Sequence, residues 1–367
     1  MRIKNIEIKN FRNYPDLSLK ITSDMVILSG PNAVGKTNLL ESVYFASLFK
    51  SFRDDAEFIF LKGTENAEIR MQVEKLDEEF ALEIFLEYTD KIYANFKING
   101  VKKKRKDAQG FVTVVIFEPS DVDLFSKSPE ARRKYLNMVL SQKSLTYLDN
   151  LNNYKRITTQ KNKLLTDIKA GRGDKEELVA WNDQLLDVGT NIILERRSFV
   201  NFLNQSIAEV YSAISKFHRP VEVAYETIPG ETYDEIKTSF AEKLASVEAK
   251  ELLLASSLVG PHRDDFALMS EGLLLPPFSS RGEQRSQVLA LKILELEFLS
   301  NADDKPILLL DDVLSELDDT RRTFLLKYLT GKFQTFITTT HPLEMAGQHV
   351  TLTPAVQEQE EPAEPNK

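Results

Sequence analysis

The chain has 367 residues, a formal net charge of −9 and no cysteine. Disulfides and cysteine-held metals are therefore excluded, and so is the uniformly basic surface common in non-specific nucleic-acid binders. At 42% hydrophobic residues it can form one large or two ordinary domains, but no apolar run approaches the roughly 20 residues of a membrane helix. The N-terminus lacks the apolar segment of a signal peptide, so we expect a cytoplasmic protein without a membrane partner.

The first 120 residues are typical of a β-rich segment with one embedded helix. Strands are predicted from apolar runs at Ile3–Ile8, Met25–Leu28, Ala67–Val73, Phe80–Tyr88 and Ile92–Ile98. Asn99-Gly100 predicts a type I′ hairpin turn. "FVTVVIFEP" predicts a buried strand that ends at Pro119.

From about residue 128 to 217 the pattern favours helices, with a break at residues 171–177. A short strand, "RPVEVAYE", a helix that ends near Leu254, and a loop and strand beginning "VGPHRDD" follow. The helix after Ser280 leads to two apolar strands, "PILLLDD" and "TFITTTH". We predict an α/β head from residues 1–125 and 276–352, interrupted by a mainly α-helical lobe of residues 126–275 with no long coiled coil. Residues 353–367 are acidic and proline-rich, so we expect a disordered tail.

A phosphate-binding loop is predicted by G-x-x-x-x-G-K-T, placed between a strand and a helix as that motif requires. Glycines let backbone N–H groups face phosphate oxygens, and the helix N-terminus adds partial positive charge. Lys36 is placed for the β- and γ-phosphates of ATP and Thr37 for Mg²⁺. A chance glycine-rich turn is the alternative, which the flanking strand and helix disfavour. The predicted ATP-binding residues are Gly30, Pro31, Asn32, Ala33, Val34, Gly35, Lys36, Thr37 and Asn38.

The strand "ILLLDD" supplies the matching carboxylates. Asp311 at its end is expected to hold Mg²⁺ through water, and Asp312 to orient the attacking water. An ordinary strand that ends in an aspartate-rich turn is the alternative, but the phosphate loop in the same chain favours the metal site.

Four motifs, taken in chain order, resemble an ABC-type ATPase head (a phosphate-loop NTPase). They are a signature loop at Ser280–Glu283, the acidic strand, a D-loop at Ser315–Asp318 and a switch histidine, His341. In such heads the signature loop offers a serine hydroxyl, a glycine N–H and a helix N-terminus to the γ-phosphate held by a second copy. The resemblance therefore implies an ATP-dependent homodimer in which Ser280, Gly282 and Glu283 contact the partner's ATP. The alternative for Ser280 is a plain helix N-cap.

The chain resembles the RecF family, whose heads are of the SMC type, along its whole length except the tail. The matching segments are "IKNFRNY", "GPNAVGKTNLLES", "KSFR", "FEPSDVDLFSKSPEARRKYLN", "VGPHRDD", "SSRGEQRS" and "LLLDDVLSELD". The resemblance implies a nucleoid-associated recombinational-repair ATPase that acts in the SOS response. Its heads would close on gapped or junction double-stranded DNA, it would help RecO and RecR load RecA, and weak, DNA-stimulated ATP hydrolysis would release the DNA.

The sequence departs from the family pattern at several positions. Arg281 and Glu283 replace residues of a commoner glutamine-containing signature, Asn137 stands where an aspartate is usual, and no Q-loop glutamine is found near residues 118–121. Asp312 stands where ABC enzymes commonly have glutamate. Its shorter reach suggests slow hydrolysis, which would act as a timer.

DNA contacts are expected from local basic clusters. The densest lies just past the hairpin turn on a predicted strand, where the alternative is an edge strand protected by lysines. A pair of arginines at a helix start is a second candidate, unless it pairs with carboxylates, and Arg53 resembles an arginine near nucleotide and DNA in SMC heads, unless it forms a structural ion pair. The candidates are Lys102, Lys103, Lys104, Arg105, Lys106, Arg53, Arg132 and Arg133. Binding would be sequence-independent and salt-sensitive.

In "GPHRDD" we favour a loop, with Arg263 paired to an aspartate, over a metal site. Three other classes stay open: a metabolic phosphate-loop kinase, a transporter ATPase and a structural tether. A paired-head ATPase gains activity per chain as protein concentration rises, whereas a monomeric kinase does not.

Overall fold

The computed structural model describes residues 1–53, 59–215, 220–275, 279–341 and 343–353. Residues 354–367, nearly all of the predicted tail, lie outside this range. The strands are β1 (Arg2–Phe11), β2 (Tyr14–Lys20), β3 (Met25–Ser29), β4 (Asn66–Lys75), β5 (Glu78–Tyr88), β6 (Ile92–Ile98), β7 (Val101–Lys103), β8 (Val114–Phe117), β9 (Glu222–Glu226), β10 (Asp265–Ser270), β11 (Leu273–Leu274), β12 (Ile307–Leu310), β13 (Thr335–Thr339) and β14 (Gln348–Thr351).

The helices are α1 (Lys36–Leu48), α2 (Arg105–Ala108), α3 (Pro129–Lys143), α4 (Leu145–Lys169), α5 (Glu177–Ile214), α6 (Tyr233–Leu254), α7 (Arg281–Leu299), α8 (Val313–Glu316) and α9 (Asp319–Leu329). The longer helices, α1 and α3 to α7, lie in the regions predicted to be helical, whereas α2, α8 and α9 were not predicted. None of the helices within the described ranges is both long and apolar enough to cross a membrane.

A parallel sheet with strand order β14-β3-β13-β12-β8 forms the centre of the head. All residues of β8, β12 and β13 are buried. Strands covered on both faces have continuous apolar sequences, which is why "TVVIF" and "ILLL" do not alternate with polar residues.

An antiparallel sheet with strand order β2-β1-β4-β5-β6-β7 packs against the parallel sheet and α1 through a shared core. Along β1 the inward residues are Ile3, Ile6 and Ile8, all fully buried. A register shift between Ile3 and Asn5 explains the extra residue between the first two isoleucines, because a bulge turns the strand by one position.

The middle of the chain forms helices α3 to α6 and a small antiparallel sheet with order β11-β10-β9. One hydrophobic core runs without a break from Ile27 and Val115 of the parallel sheet, through Val288 of α7, to Tyr147 and Leu185 in the helical region. The division into a head and a lobe at residues 125/126 and 275/276 remains a prediction, because the packing is continuous there.

The predicted strand through Lys102–Lys106 is wrong beyond Lys103. Lys104 is the extended residue before α2, so Arg105 and Lys106 lie on a short helix. This turn is held against the body because Ala108 is fully buried and the Arg105 guanidinium donates to the carbonyl of Phe49 at 2.8 Å.

Candidate nucleotide site and its surroundings

The predicted phosphate loop and acidic residues lie at one edge of the parallel sheet. The loop follows β3, Asp311 follows β12, and β13 lies between these strands and leads to His341. Because the carboxyl ends of parallel strands meet at the same edge, the fold brings these distant segments of the chain together.

The phosphate loop has a backbone that glycine permits. Gly35 has φ +113°, and a Cβ there would lie 2.8 Å from the hydroxyl of Tyr14. Tyr14 donates to the Gly35 carbonyl at 3.0 Å, and Asn13 donates to the Val34 carbonyl at 3.1 Å. The segment "FRNY" thus supports the phosphate loop through these two hydrogen bonds. Reasoning from the sequence did not identify this role. Two polar residues after a strand were its only signal.

Lys36 lies at the start of α1 and is 5% exposed. Its ammonium donates to the carbonyls of Gly30 at 2.8 Å and Pro31 at 2.9 Å. The loop residues Pro31, Asn32 and Ala33 are exposed. The charge of Lys36 is therefore placed inside the loop, where a phosphate group would also be placed.

The carboxylate of Asp311 is joined to the phosphate loop by a side-chain hydrogen bond. Thr37 Oγ1 donates to Asp311 Oδ1 at 2.9 Å, and Thr338 Oγ1 donates to the same oxygen at 2.8 Å. A hydroxyl and a carboxylate at this distance fit the oxygen ligands that Mg²⁺ prefers. Thr338 was not predicted as a site residue, since a threonine in a strand is ordinary.

Asp312 has a left-handed backbone, φ +53°, which is uncommon for a residue with a side chain. Its N–H donates to Thr338 Oγ1 at 2.9 Å, so one hydroxyl holds both aspartates. Burial, followed by the charge of Asp311, raises the pKa of Asp312, while Lys36 and His341 oppose the shift. His341 is exposed, and its backbone N–H donates to Thr339 Oγ1 at 3.1 Å.

Ser280 is the N-cap of α7 in a capping box. Its hydroxyl accepts from the Glu283 N–H at 3.3 Å, and the Glu283 carboxylate accepts from the Ser280 N–H at 2.8 Å. Glu283 is buried, whereas Ser280 is exposed. The N-cap interpretation therefore explains Glu283, and the contact of Ser280, Gly282 and Glu283 with a partner's ATP remains a prediction.

The signature loop and the phosphate loop lie near different strands of the parallel sheet. Helix α7 packs against β8, whereas the phosphate loop follows β3, three strands away in the sheet order. At about 4.8 Å per strand this is a separation of roughly 14 Å between the two strands.

Arg53 lies beside the phosphate-loop helix. Its guanidinium donates to the Asn38 side chain at 2.9 Å and lies 3.7 Å from Glu41. Glu41 is fully buried and also accepts two hydrogen bonds from Arg12. The ion-pair alternative for Arg53 is thus supported, and the arginine remains 40% exposed.

The basic candidates differ in their surroundings. Lys102, Lys103 and Lys104 are exposed, the first two on the edge strand β7. The DNA role predicted for Arg132 has to be corrected, because its buried guanidinium is bound to the Asp265 carboxylate by two hydrogen bonds, 2.6 and 2.7 Å long. Arg133 donates to the Asp264 carbonyl at 2.8 Å.

The "GPHRDD" segment leads into β10, with Asp264 buried and Arg263 exposed. Asp264 pairs with the buried Arg196 at 3.1 Å, whereas Arg263 donates to the Ser257 carbonyl, so the predicted pairing of Arg263 with an aspartate is wrong. Burial lowers the pKa of His262 to about 4, which keeps its ring neutral against Tyr154. Within the described ranges no group of three or more His, Cys, Asp or Glu side chains could hold a metal.

The region without a Q-loop glutamine, residues 118–121, lies at a 3₁₀ turn, Pro119–Asp123, whose N-cap is Glu118. Its Asp121 carboxylate lies 3.5 Å from the buried ammonium of Lys292 on α7, which also pairs with Glu295. The turn is therefore linked to the helix that carries the signature loop.

The sequence model described as the RecF/RecN/SMC N terminal domain matches residues 2–361. The chain is 36% identical to the DNA replication and repair protein RecF of Lachnoclostridium phytofermentans, with 93% of each chain covered. It is also 36% identical to RecF of Bacillus cytotoxicus, with 93% of this chain and 92% of the relative covered.

Solved structures agree with the sequence matches. A structure described as the recombination mediator protein RecF-ATPrS in the RecFOR pathway has a TM-score of 0.88 at 31% identity over 96% of both chains. An SMC head bound to the C-winged helix domain of ScpA has a TM-score of 0.52 at 13% identity, over 93% of this chain and 90% of that one, a likeness of fold alone. The predicted fold class, an SMC-type ABC ATPase head with no long coiled coil in its described residues, is confirmed.

Proposed function

The chain belongs to the RecF family, and on that premise we propose that it is a DNA-repair ATPase whose heads pair around ATP on DNA. Each head would bind ATP and Mg²⁺ at its own phosphate loop. Gapped or junction duplex DNA would be held by the pair, and slow hydrolysis, stimulated by DNA, would release it. RecO and RecR would be its partners in loading RecA, in the cytoplasm at the nucleoid.

One observation carries the proposal. Lys36, bonded to the loop carbonyl of Gly30, and the hydrogen-bonded pair of Thr37 and Asp311 lie at the carboxyl ends of β3 and β12. Ser280 begins a helix that packs on β8. One head would therefore carry both halves of a composite site on different parts of its surface. If two copies face each other in opposite orientation, the phosphate loop of each copy would meet the signature loop of the other.

Each residue of the site would have a defined part in the reaction. Lys36 would bind the β- and γ-phosphates, and Thr37 and Asp311 would hold Mg²⁺, which when bound neutralises charge on the phosphate oxygens. Asp312 would accept a hydrogen bond from the attacking water. His341 follows β13 at the same edge of the parallel sheet. Ser280 and Gly282 of a second copy would close the site and exclude water from it.

A mixing experiment tests shared ATP sites. Lys36→Met removes the phosphate contact of one half, and Ser280→Arg blocks the other, so each variant alone should stay monomeric in light scattering with Mg²⁺ and a slowly hydrolysed ATP analogue. Mixed at equal concentration, they should form a heterodimer with one intact site and recover part of the ATPase activity. Wild type that remains monomeric with analogue and duplex DNA together would refute the proposal.

Concentration dependence separates this function from a kinase. Activity per chain should rise with protein concentration for the paired head, and it should stay constant for a monomeric enzyme. Replacing Lys36 in the same series supplies the inactive control.

A further inference from the structure

Four basic side chains from separate elements gather at the C-terminal end of α1. Lys50 directly follows the last turn of that helix, and Arg105 on α2 donates to the adjacent Phe49 carbonyl at 2.8 Å. Lys134 lies on α3 and Lys155 on α4. We call Lys50, Arg105, Lys134 and Lys155 the basic cluster.

Packing between the elements holds the cluster together. Helix α3 is tied to α1 by hydrogen bonds from Ser47 to Gln142, 2.9 Å, and from Tyr44 to Met138, 3.2 Å. Helix α2 packs against α4, where Lys106 pairs with Asp149 at 3.4 Å. Rigid elements therefore fix the backbone positions of the four cations.

The like charges affect each other. Partial burial and the charges of Arg105, Lys155 and Lys134 lower the pKa of Lys50. The side chains of Lys50, Lys134 and Lys155 are nevertheless exposed. A chain with net charge −9 thus places four basic side chains around one end of α1, where the phosphates of a polyanion would interact favourably with them.

We propose that the basic cluster binds the phosphate backbone of duplex DNA, which refines the proposed function and depends on it. Duplex DNA fits because it presents a regular array of phosphates, one per about 3.4 Å on each strand, to cations that rigid elements hold apart. The surface continues through Arg105 to the exposed Lys102–Lys104 next to it in the chain. The buried Arg132 is not part of it.

The test compares two double variants that lose equal charge. Lys50→Gln with Lys155→Gln removes two cations of the cluster. Lys163→Gln with Lys243→Gln removes two exposed lysines of α4 and α6 outside it. Fluorescence anisotropy with a duplex, repeated over a salt series, gives the slope of log K against log salt. We expect the cluster variant to lower the slope by about 1.8, since each phosphate contact contributes about 0.9, and the control to leave it unchanged.

The outcomes separate this inference from the proposed function. If the cluster variant keeps the control's slope, the inference is overturned, while wild-type DNA binding and ATP-dependent pairing leave the proposed function intact. If wild type neither pairs nor binds the duplex, the proposed function fails as well. Displacement of bound duplex by poly-glutamate at equal charge would assign the cluster to an acidic protein and would overturn the DNA assignment.

Discussion

Thr338 is the residue on which the geometry of both site aspartates depends. Thr338→Val keeps the side-chain shape but removes the hydroxyl that donates to Asp311 and accepts from the Asp312 N–H. A hydrogen bond to a charged group contributes about 1.5–3 kcal/mol and a neutral one about 0.5–1.5 kcal/mol, so the variant should lose about 2–4.5 kcal/mol of unfolding free energy.

The same change should slow hydrolysis. If about 2 kcal/mol of carboxylate positioning is lost in the transition state, the rate falls roughly 30-fold. Thr335→Val is the matched control, because Thr335 lies on the same strand, is equally buried and donates to the Phe333 carbonyl at 3.2 Å, away from the aspartates. It should cost about 1 kcal/mol of stability and leave the rate unchanged.

Urea unfolding and steady-state ATPase assays at saturating Mg²⁺ and ATP measure the two effects. The stability loss and the rate loss should appear together in Thr338→Val only. A hydrolysis rate within about twofold of wild type, a difference of under about 0.5 kcal/mol, would show that Thr338 does not position the carboxylates.

Three further predictions concern Asp312, Gly35 and Arg196. Folding raises the pKa of Asp312 from its ordinary 3.8, so the carboxyl's favourable contribution to stability is complete below pH 3.8 and is lost as pH rises through the raised pKa. Asp312→Asn should therefore raise the melting temperature at neutral pH, lose that gain in acid and abolish hydrolysis. An unchanged melting temperature at neutral pH would contradict this. Gly35→Ala should weaken ATP binding at least tenfold by calorimetry, because its Cβ meets Tyr14, whereas Gly331→Ala, also at positive φ but with open space around it, should bind normally. Arg196→Met leaves a buried carboxylate without its cation and should cost about 3–5 kcal/mol in urea unfolding, and a loss below about 1 kcal/mol would show that the carboxylate is stabilised by other groups.

The sequence was sufficient for the elements whose signal is local. Apolar runs located β3, β8 and β12 because strands buried on both faces have no polar face. The phosphate loop was also predicted, and the N-cap at Ser280 was present as the alternative interpretation, since glycine spacing and capping residues act within a few positions.

The contacts that the sequence did not reveal all join distant segments. Thr338 bears on the site only because β13 lies between β3 and β12. Tyr14 reaches Gly35 across the loop. Arg132 looks like a surface cation in the sequence, but it meets Asp265 only after α3 packs against β10. Pairing between remote positions depends on the fold and not on any local pattern.

The position of β3 in the parallel sheet has a consequence for synthesis on the ribosome. Both of its neighbours, β13 and β14, are translated about 300 residues later, which takes roughly 15–60 s at 5–20 residues per second. Until then both edges of this apolar strand lack their partners and can pair with other chains. The antiparallel sheet, complete by residue 103, can cover one face of β3 during this interval. Translation pauses late in the chain should therefore increase aggregation more than pauses early in it.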